Sequence, residues 1–472
     1  MRKELLLRAI VAIGLIMMYG CRSFTDSPAP VELTWEAGVR DVCPGYSENT
    51  FVLHNISDSL LGKDWAIYFC SIPFEVRMDS LVAVCIEQVN SSYYKMYPTK
   101  HFIPLLPGDS LRISYFRNGR LVKNSHAPEG TYWVQHSGTT ESAPQSIKLT
   151  CRPLTLTDET VATTARAYER NLPLLNASTL QLWDILPSVK EALPGKGELV
   201  LEKKFALDCH SDFFNEGTLL KEKLKALYGL ESVRTADVKV TLDYLSEGVN
   251  VVNEEFYTLD VTDGRIAVRA ATAHGMFNGT QTLLSMLKGQ KAPYRLKNVA
   301  IRDYPDLLHR GQMLDISRNF TSVENVKKLI DIWASYKLNT FQFHFSDDEG
   351  WRLEIPGLEE LTTVGARRGH THDEQDCMYP AYDCGYDSEA ATTANGYYTR
   401  QQFMELLCYA AERHIDVIPE IETPGHSRAA IAAMKSRYYK YIDTAPEKAY
   451  EYLASAAGIL FRNGKTTKCL TG

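Results

Sequence analysis

The first part of the chain places apolar residues at every second position in short runs. From Val31 to about Gly138 these runs are separated by Gly and Pro turn signals. Two of them show the alternation clearly: Trp65, Ile67 and Phe69 in one, and Leu111, Ile113 and Tyr115 in the other. Alternation with period two is typical of half-buried strands, and repeated short strands favour a sandwich. We predict a β-sandwich domain over residues 31–138.

The pattern changes in residues 150–290, where strand-like and helix-like segments are mixed. An Asp263-Gly264 pair between two alternating runs predicts a hairpin with a two-residue turn. The other predicted elements are strands at Glu198–Phe205 and Asp237–Tyr244 and helices at Leu219–Tyr228 and Ala273–Leu287. This mixture predicts a small α+β domain.

From about Arg302 onward, strands alternate with helices. A capping-box sequence at Thr321–Glu324 precedes Val326, Leu329, Ile330 and Trp333, which share one helical face. The predicted strands contain Phe341, Phe343 and Phe345 in one case and residues Ile415–Ile421 in the other, with a second capping box at Thr399–Gln402 between them. Strands joined by helices indicate a parallel sheet. We place this third domain at residues 302–472.

The N-terminus has the pattern of an export signal. Arg2 and Lys3 precede an apolar run from Ala9 to Tyr19, and Cys21 follows. A run of this length after basic residues is typical of a signal peptide. The Gly-Cys pair resembles a bacterial lipoprotein processing site, which predicts a signal peptide over residues 1–21, acylation of Cys21 and a polar tether over residues 22–30. The alternative is an ordinary signal peptide that is cut nearby.

Lipid attachment would hold the protein on a membrane of the bacterial cell envelope. The net charge of −7 argues against nucleic acid as a partner. A content of 44% hydrophobic and 23% charged residues is typical of globular domains. None of the ten cysteines shows metal-ligand spacing. Cys377 and Cys384 share a loop in which a disulfide is possible, but we expect mostly free thiols.

Charged and polar residues follow each strand of the third domain. Arg318 comes after the first strand, Asp347 and Asp348 after the second, and Glu422 and His426 after the third. Strand ends on one face of a (β/α)₈ barrel build its active site. These residues therefore predict a pocket with a histidine and carboxylate network, against the alternatives of an ion-paired arginine, a solvated acidic turn and a purely structural network.

Several segments together resemble family 20 glycoside hydrolases, the β-N-acetylhexosaminidases. The segments are HRGQMLDISR, FHFSDDEGWRLEIPGLEELT and GYYTRQQFMELLCYAAERHIDVIPEIETPGHSRAAI, and they cover roughly Pro305 to Met434. Upstream, GKDWAIYF, LLPGDSLRISYF and APEGTYWV resemble the carbohydrate-binding sandwich of larger bacterial members. Residues 150–290 resemble the α+β domain that precedes their barrel.

The resemblance implies a function and a set of roles. The third domain would be the first part, about three strands, of a (β/α)₈ TIM barrel that hydrolyses terminal N-acetyl-β-hexosamine residues of glycans. Arg318 would bind sugar hydroxyls, and Asp347, Glu422 and His426 would form a network beneath the pocket. The reaction would be retaining and substrate-assisted, with the substrate's acetamido oxygen as nucleophile, and would need neither a cofactor nor a metal.

The sequence departs from the family pattern in one respect. The family's catalytic Asp-Glu pair follows the fourth barrel strand, and no such pair is identified here. The three Asp-Glu dipeptides stand elsewhere: Asp158-Glu159, Asp348-Glu349 and Asp373-Glu374. Likeness to the family is expected to end near residue 435. We interpret the chain as a C-terminally truncated member, expect it to be inactive, and expect residues after about 302 to be poorly stable because an incomplete barrel leaves an open sheet edge.

Two alternatives stay open at this point. One is a non-catalytic surface lipoprotein whose sandwich binds glycans. The other is a different hydrolase in which Asp347 or Asp348 pairs with Glu422 as two catalytic carboxylates.

Overall fold

The computed structural model describes residues 29–38, 41–43, 45–79, 81–119, 126–152, 163–173, 185–382 and 386–435. The chain divides into two compact units. The first comprises Met1–Val161 with Tyr379–Asp387, and the second comprises Ala162–Met378 with Ser388–Gly472. The predicted signal peptide, Cys21 and all of the tether but Ala29 and Pro30 lie outside the described residues. None of the described helices has the length and apolar composition needed to cross a membrane.

The first unit contains two β-sheets. One has the order β12-β1-β3-β8-β5, with β2 beside β3, and the other has the order β10-β9-β4-β7-β6, with β11 beside β9. The strands are β1 (Val31–Glu36), β2 (Asp41–Cys43), β3 (Tyr46–Asn55), β4 (Trp65–Cys70), β5 (Val76–Arg77), β6 (Val84–Asn90), β7 (Tyr93–Pro98), β8 (Ser110–Asn118), β9 (Glu129–Ser137), β10 (Thr140–Glu141), β11 (Gln145–Ser146) and β12 (Leu149–Cys151). The alternating runs at β4 and β8 are strands, as their pattern predicts.

Strand β4 is buried on both faces, so the prediction of a half-buried strand is wrong there. Trp65, Ile67 and Phe69 face the sandwich core. On the other face, Tyr68 stacks between the rings of two further tyrosines. Those tyrosines contact two further tyrosines of the same unit in turn, in the pairs Tyr93–Tyr379 and Tyr132–Tyr386. The alternation in the sequence indicates only the face of β4 that packs in the sandwich core. The other face is buried through residues that are distant in sequence.

The second unit begins with a seven-stranded sheet in the order β13-β19-β17-β18-β16-β14-β15. Its strands are β13 (Glu191–Leu201), β14 (Lys204–Cys209), β15 (Glu231–Val233), β16 (Lys239–Tyr244), β17 (Tyr257–Thr262), β18 (Arg265–Ala270) and β19 (Tyr294–Asp303), and its helices are α1 (Thr164–Asn171), α2 (Phe214–Tyr228) and α3 (Ala273–Leu287). The hairpin at Asp263-Gly264 is confirmed, and Gly264 has the positive φ of 72° that this turn requires. The single strand predicted at Glu198–Phe205 is wrong, because it divides between β13 and β14.

The rest of the second unit is built on a parallel sheet in the order β20-β21-β24. The elements are β20 (Gly311–Asp315), α4 (Val323–Ser335), β21 (Thr340–His344), the short hairpin β22 (Ser346–Asp347) and β23 (Gly350–Trp351), α5 (Glu360–Thr363), α6 (Arg400–Ala411) and β24 (Asp416–Glu420). Residues 428–435 are also helical. The capping box at Thr399 is confirmed, whereas the N-cap of α4 is Ser322 rather than Thr321.

One face of this parallel sheet is packed and the other is open among the described residues. Helices α4 and α6 cover the packed face through the predicted apolar stripe and the three phenylalanines around β21. On the other face, Met313, Gln342 and Ile418 stand side by side in register and are all exposed. Among the described residues, one face of this sheet is therefore covered by helices and the other is exposed.

Among the cysteines whose side chains the structure describes, most follow the expectation of thiols outside disulfides. Five form no disulfide, and because Cys377 is one of them the possible bridge from Cys377 does not form: Cys70, Cys85, Cys151, Cys209 and Cys377. Cys408 is disulfide-bonded, and for it the expectation is wrong. Cys384 lies outside the described residues.

Candidate functional site

The carboxyl ends of the three parallel strands bring three titratable side chains into one row. Asp315 pairs in register with His344, and His344 with Glu420. The imidazole Nδ1 of His344 lies 3.1 Å from the Glu420 carboxylate. Side chains at the ends of neighbouring parallel strands share one edge of the sheet, so this row forms the floor of a candidate site.

Arg318 lies directly above this row and is held by three carboxylates. Its Nη1 donates to Asp315 at 2.8 Å, its Nη2 pairs with Asp347 at 2.6 Å, and its Nε donates to Glu349 at 3.0 Å. The side chain keeps 26% of its surface exposed. A guanidinium has five N–H donors, so two remain after these three bonds, and Nη1 also lies 3.4 Å from His344 Nε2. Arg318 is therefore rigidly oriented and still able to donate to a ligand.

The three carboxylates around Arg318 keep its guanidinium charged. Burial alone would lower the pKa of Arg318, but its hydrogen bond to the Asp315 carboxylate and the negative charges of Asp315, Asp347 and Glu349 raise it above its usual value. Burial raises the pKa of the Glu349 carboxyl, although the positive charge of Arg318 opposes that shift. The Arg318 guanidinium is therefore a permanent cation surrounded by carboxylates.

Asp347 is the centre of the network and is almost completely buried. Besides Arg318, its carboxylate contacts His344 Nε2 at 2.9 Å and His426 Nδ1 at 3.0 Å. It also accepts a hydrogen bond from the backbone N–H of Asp348. Burial acts to raise the pKa of Asp347, but these hydrogen bonds and the charge of Arg318 hold it below its usual value. The carboxylate is therefore ionised and completely engaged.

Two histidines, one buried and one exposed, contact the Asp347 carboxylate, and this contact raises the pKa of each. Burial lowers the pKa of His344, yet its hydrogen bond with Asp347 and the nearby acids raise it overall. His426 is exposed, and its hydrogen bond and charge interaction with Asp347 raise its pKa. His426 also has a positive φ of 52°, a conformation that a non-glycine residue rarely adopts. The strained backbone aims the imidazole at Asp347.

The structure places the other predicted residues nearby but in different roles. Glu422 donates its backbone N–H to the hydroxyl of Ser346 at 3.1 Å, and its carboxylate lies with His344 and Glu420 rather than on Asp347. Asp348 accepts the backbone N–H of Arg428 at 3.1 Å, which braces the helical residues 428–435. Asp347 and His426 are thus brought together as predicted, whereas Glu422 stands on the other side of His344.

At this edge of the parallel sheet, two groups of three described side chains are close enough to hold a cation: His344 with Glu420 and Glu422, and Asp347 with Asp348 and His426. Within each group the ligand atoms lie within 4.8 Å of one another. The oxygens of Asp347 are already occupied by Arg318 and the two histidines. The charge of this group is therefore balanced by side chains of the protein itself.

One supporting residue was not singled out from the sequence. Arg352 is fully buried and donates to backbone carbonyls of the loops around the site. Its Nη2 donates to Ser317 at 2.8 Å and its Nη1 to Ala366 at 3.0 Å, with further bonds to Ile316 and Gly396. Arg352 thereby fixes the backbone that carries Arg318. The neighbouring Trp351 is also buried, and its indole N–H donates to the carbonyl of Leu353, so it is a packing residue here.

Three family models match the chain in consecutive order. The glycosyl hydrolase family 20 catalytic domain matches residues 307–468, and domain 2 of the same family matches residues 183–304. A model for a carbohydrate binding domain matches residues 44–170. The three-domain architecture is thereby confirmed. The catalytic match continues to residue 468, so the expectation that family likeness ends near residue 435 is wrong.

Curated relatives agree with these matches. A β-hexosaminidase from Vibrio vulnificus is 32% identical over 83% of this chain and 48% of its own length. A β-hexosaminidase from Vibrio furnissii is 31% identical over 87% of this chain and 63% of its own length. An N,N'-diacetylchitobiase from Vibrio harveyi is 28% identical over 85% of this chain and 46% of its own length. The chain thus spans about half to three fifths of the length of these relatives.

A solved structure has the same fold. The family 20 exo-β-N-acetylglucosaminidase from Vibrio harveyi, solved with N-acetylglucosamine, superposes with a TM-score of 0.69 at 24% identity. The superposition covers 86% of this chain and 59% of that one.

Proposed function

The chain belongs to glycosyl hydrolase family 20, and on that premise we propose that it serves in the hydrolysis of terminal N-acetyl-β-hexosamine residues of glycans. The observation that carries this proposal is the clamped Arg318 at the strand ends of the catalytic domain. Three carboxylates fix its orientation, and its two other N–H groups belong to Nη1, which also lies 3.4 Å from His344 Nε2, and to Nη2. A planar guanidinium with donors left on both Nη atoms suits the hydroxyls of a sugar.

The network below Arg318 has a separate part in the proposal. Asp347 connects Arg318 to His426, whose raised pKa keeps it protonated to higher pH. In the substrate-assisted scheme of this family, the substrate's own acetamido oxygen attacks the anomeric carbon. We assign Asp347 and His426 to holding the sugar-binding arginine and the adjoining pocket wall in place. Glu422 supports the same wall through Ser346.

The parallel sheet is proposed to be the first three strands of a (β/α)₈ barrel. The parallel order β20-β21-β24 and the covering helices α4 and α6 support this. The exposed row of Met313, Gln342 and Ile418 also supports it, because the inner face of a barrel is filled by layers of side chains from further strands.

We also propose that none of the Asp-Glu dipeptides in this sequence supplies the family's acid pair. Glu349 is tied to Arg318, and Glu374 is paired with Arg428. Asp158-Glu159 lies outside the described residues. The 472-residue polypeptide is therefore expected to release no chromophore from a chromogenic N-acetyl-β-glucosaminide. Sustained turnover by this polypeptide, undiminished after its further purification, would contradict the proposal.

For location, we propose that Cys21 is acylated and holds the chain in the bacterial cell envelope. The basic residues, apolar run and Gly-Cys pair at the N-terminus support this. The intact mass of the protein recovered from cells would test it directly, because acylation adds the mass of the fatty acyl chains.

Binding of a monosaccharide glycoside tests the main proposal without requiring turnover. Methyl N-acetyl-β-glucosaminide is expected to show saturation transfer from the protein in NMR, and Arg318→Met is expected to weaken the binding at least about tenfold, because charge-assisted hydrogen bonds to two hydroxyls are lost. Arg269→Met is the matched control. Arg269 is equally exposed and is also paired with one carboxylate, Asp260, but it lies in the α+β domain.

Equal binding by the Arg318 and Arg269 variants would contradict the assignment of Arg318.

The match of residues 44–170 to a carbohydrate binding domain model favours one second function, glycan binding by the first unit. Binding to oligosaccharides that the Arg318→Met change leaves intact would point to that second function.

A further inference from the structure

One end of the β-sandwich carries a group of exposed aliphatic side chains. The group comprises Ile56, Leu60, Ile103 and Leu106, and it is called the aliphatic patch below. Leu60, Ile103 and Leu106 are 59%, 78% and 60% exposed. These side chains lie on two loops that backbone hydrogen bonds between Leu61 and Leu105 join, and exposed aliphatic side chains grouped in this way are typical of an interaction surface.

The patch is held rigidly by the residues between its members. Leu61 and Leu105 form a two-way backbone bridge, with N–O distances of 2.9 and 3.2 Å, and both side chains are buried in the sandwich core. Successive side chains of an extended segment point to opposite sides. Leu60 and Leu106 therefore point outward from a fixed base, opposite one another across the bridge.

A buried asparagine ties the two loops together. Asn55 Nδ2 donates to the carbonyl of Ser59 in the first loop at 2.9 Å and to that of Leu105 in the second at 3.0 Å. The backbone N–H of Ile56 donates to the carbonyl of Pro30. The aliphatic patch is thus a fixed feature of the domain and adjoins the point at which the described chain begins.

Strand topology places the N-terminal end of the domain and the patch at the same end of the sandwich. Val31, the first residue of β1, pairs with Asn55, the last residue of β3. The loop before β8 meets the same end, since Ser110 pairs with His54. Cys21 precedes Ala29 by eight residues, which span at most roughly 28 Å when extended. A membrane that held Cys21 would lie within that reach of Ala29, at the same end of the sandwich as the patch.

The chemistry of the patch favours lipid over a sugar or a charged partner. It is made of branched aliphatic chains, with no aromatic ring for a sugar to stack on. The loops that carry it mix exposed lysines with exposed aspartates, namely Lys63, Lys100, Asp58, Asp64 and Asp109, and Asp109 accepts the backbone N–H of Leu106. Such a mixture has little net charge and tolerates the headgroup region, while the aliphatic tips lose water on insertion.

From these observations we propose that this end of the sandwich rests on a lipid bilayer, with the aliphatic patch inserted at the boundary between headgroups and acyl chains. The contact goes beyond the proposed glycan hydrolysis. It is also separate from acylation of Cys21, because it needs no covalent lipid. It would hold the sandwich against the membrane instead of leaving it free on its tether.

Vesicle co-sedimentation tests the contact with a chain that begins at Arg22 and so retains every described residue. The vesicles are phosphatidylethanolamine and phosphatidylglycerol in a ratio of about three to one, typical of bacterial membranes. The unmodified chain is expected to bind, with little change between low and high salt. Leu60→Asp combined with Leu106→Asp is expected to weaken binding at least about tenfold, because two aliphatic chains no longer leave water.

Val89→Asp is the matched control. Val89 is exposed, lies in the same unit and belongs to β6 close to its turn into β7, at the opposite end of the sandwich. The control is expected to bind as the unmodified chain does. Leu60→Ser with Leu106→Ser repeats the test with a milder change, and equal thermal midpoints establish that each variant is folded.

Three results would overturn the proposal. The first is vesicle binding by the folded Leu60 and Leu106 variants that equals binding by the unmodified chain. The second is no vesicle binding by the unmodified chain. The third is a stable dimer in light scattering that Leu106→Asp dissociates, because the patch would then face a second copy of the chain.

Discussion

Replacing Asp347 with alanine is expected to lower the free energy of local opening of the catalytic domain by about 3 to 5 kcal/mol. In the unmodified protein, Arg318 and His344 each contact the Asp347 carboxylate at less than 3 Å, and both lose this partner in the variant. An ion-pair partner left alone in a buried site keeps its desolvation cost without compensation. Arg318 retains Asp315 and Glu349, so we expect the lower part of that range.

Hydrogen–deuterium exchange in peptides that contain β21 and β24 measures this opening. Asp348→Ala is the control, because Asp348 is the adjacent acid, is only half-buried and accepts a single backbone N–H from Arg428. Its effect is expected to be about 1 kcal/mol. Equal exchange in the two variants would show that Asp347 is not the centre of the network.

The effect of Asp347→Ala should depend on pH in a defined direction. Pairing raises the pKa of His344 and His426 in the folded protein. Their contribution is complete below the unfolded pKa of about 6.5 and is lost as pH rises through the folded values. The lowered pKa of Asp347 acts at the other end, since its contribution is lost only as pH falls below about 4. The difference in thermal midpoint between the unmodified chain and the variant is therefore expected to shrink from pH 6 to pH 9.

The second large effect is expected from Arg352→Met, which should lower the free energy of unfolding by about 3 kcal/mol or more. Methionine fills much of the space of the arginine side chain but donates no hydrogen bond. The carbonyls of Ile316, Ser317, Ala366 and Gly396 would each lose their arginine donor inside the protein. Because the first two immediately precede Arg318, sugar binding should weaken as well.

Urea unfolding and methyl glycoside binding measure the two consequences of this change. Arg352→Lys should restore only part of the stability, because an ammonium cannot reproduce the planar fork of donors. Arg265→Met, at an exposed position beside the Asp263-Gly264 turn, is the control and should change stability by no more than about 0.5 kcal/mol. Unchanged glycoside binding in a folded Arg352 variant would contradict a positioning role for Arg352.

The sequence allowed the strand ends of the catalytic domain to be predicted because local pattern determines them. The alternating phenylalanines around β21 and the capping box at Thr399 are decided by neighbouring residues. Arg318, Asp347 and His426 follow such strands, and their meeting follows from the rule that parallel strand ends share one edge.

Other parts of the site could not be predicted because they depend on register and on distant segments. The row of Asp315, His344 and Glu420 requires knowledge of which residues pair across the sheet. Arg352 binds carbonyls from four positions on three separate segments, and no local pattern reveals that. The cluster that contains Tyr68 packs against Tyr379 and Tyr386, which are more than 300 positions away.

The most direct measurement of the central claim is a crystal structure of this chain with methyl N-acetyl-β-glucosaminide bound. We predict that the glycoside lies at the ends of β20, β21 and β24, with two adjacent ring hydroxyls accepting hydrogen bonds from Arg318, while Asp315, Asp347 and Glu349 keep their contacts with the guanidinium. A glycoside that binds elsewhere on the chain at saturating concentration, with Arg318 making no contact to it, would contradict the account.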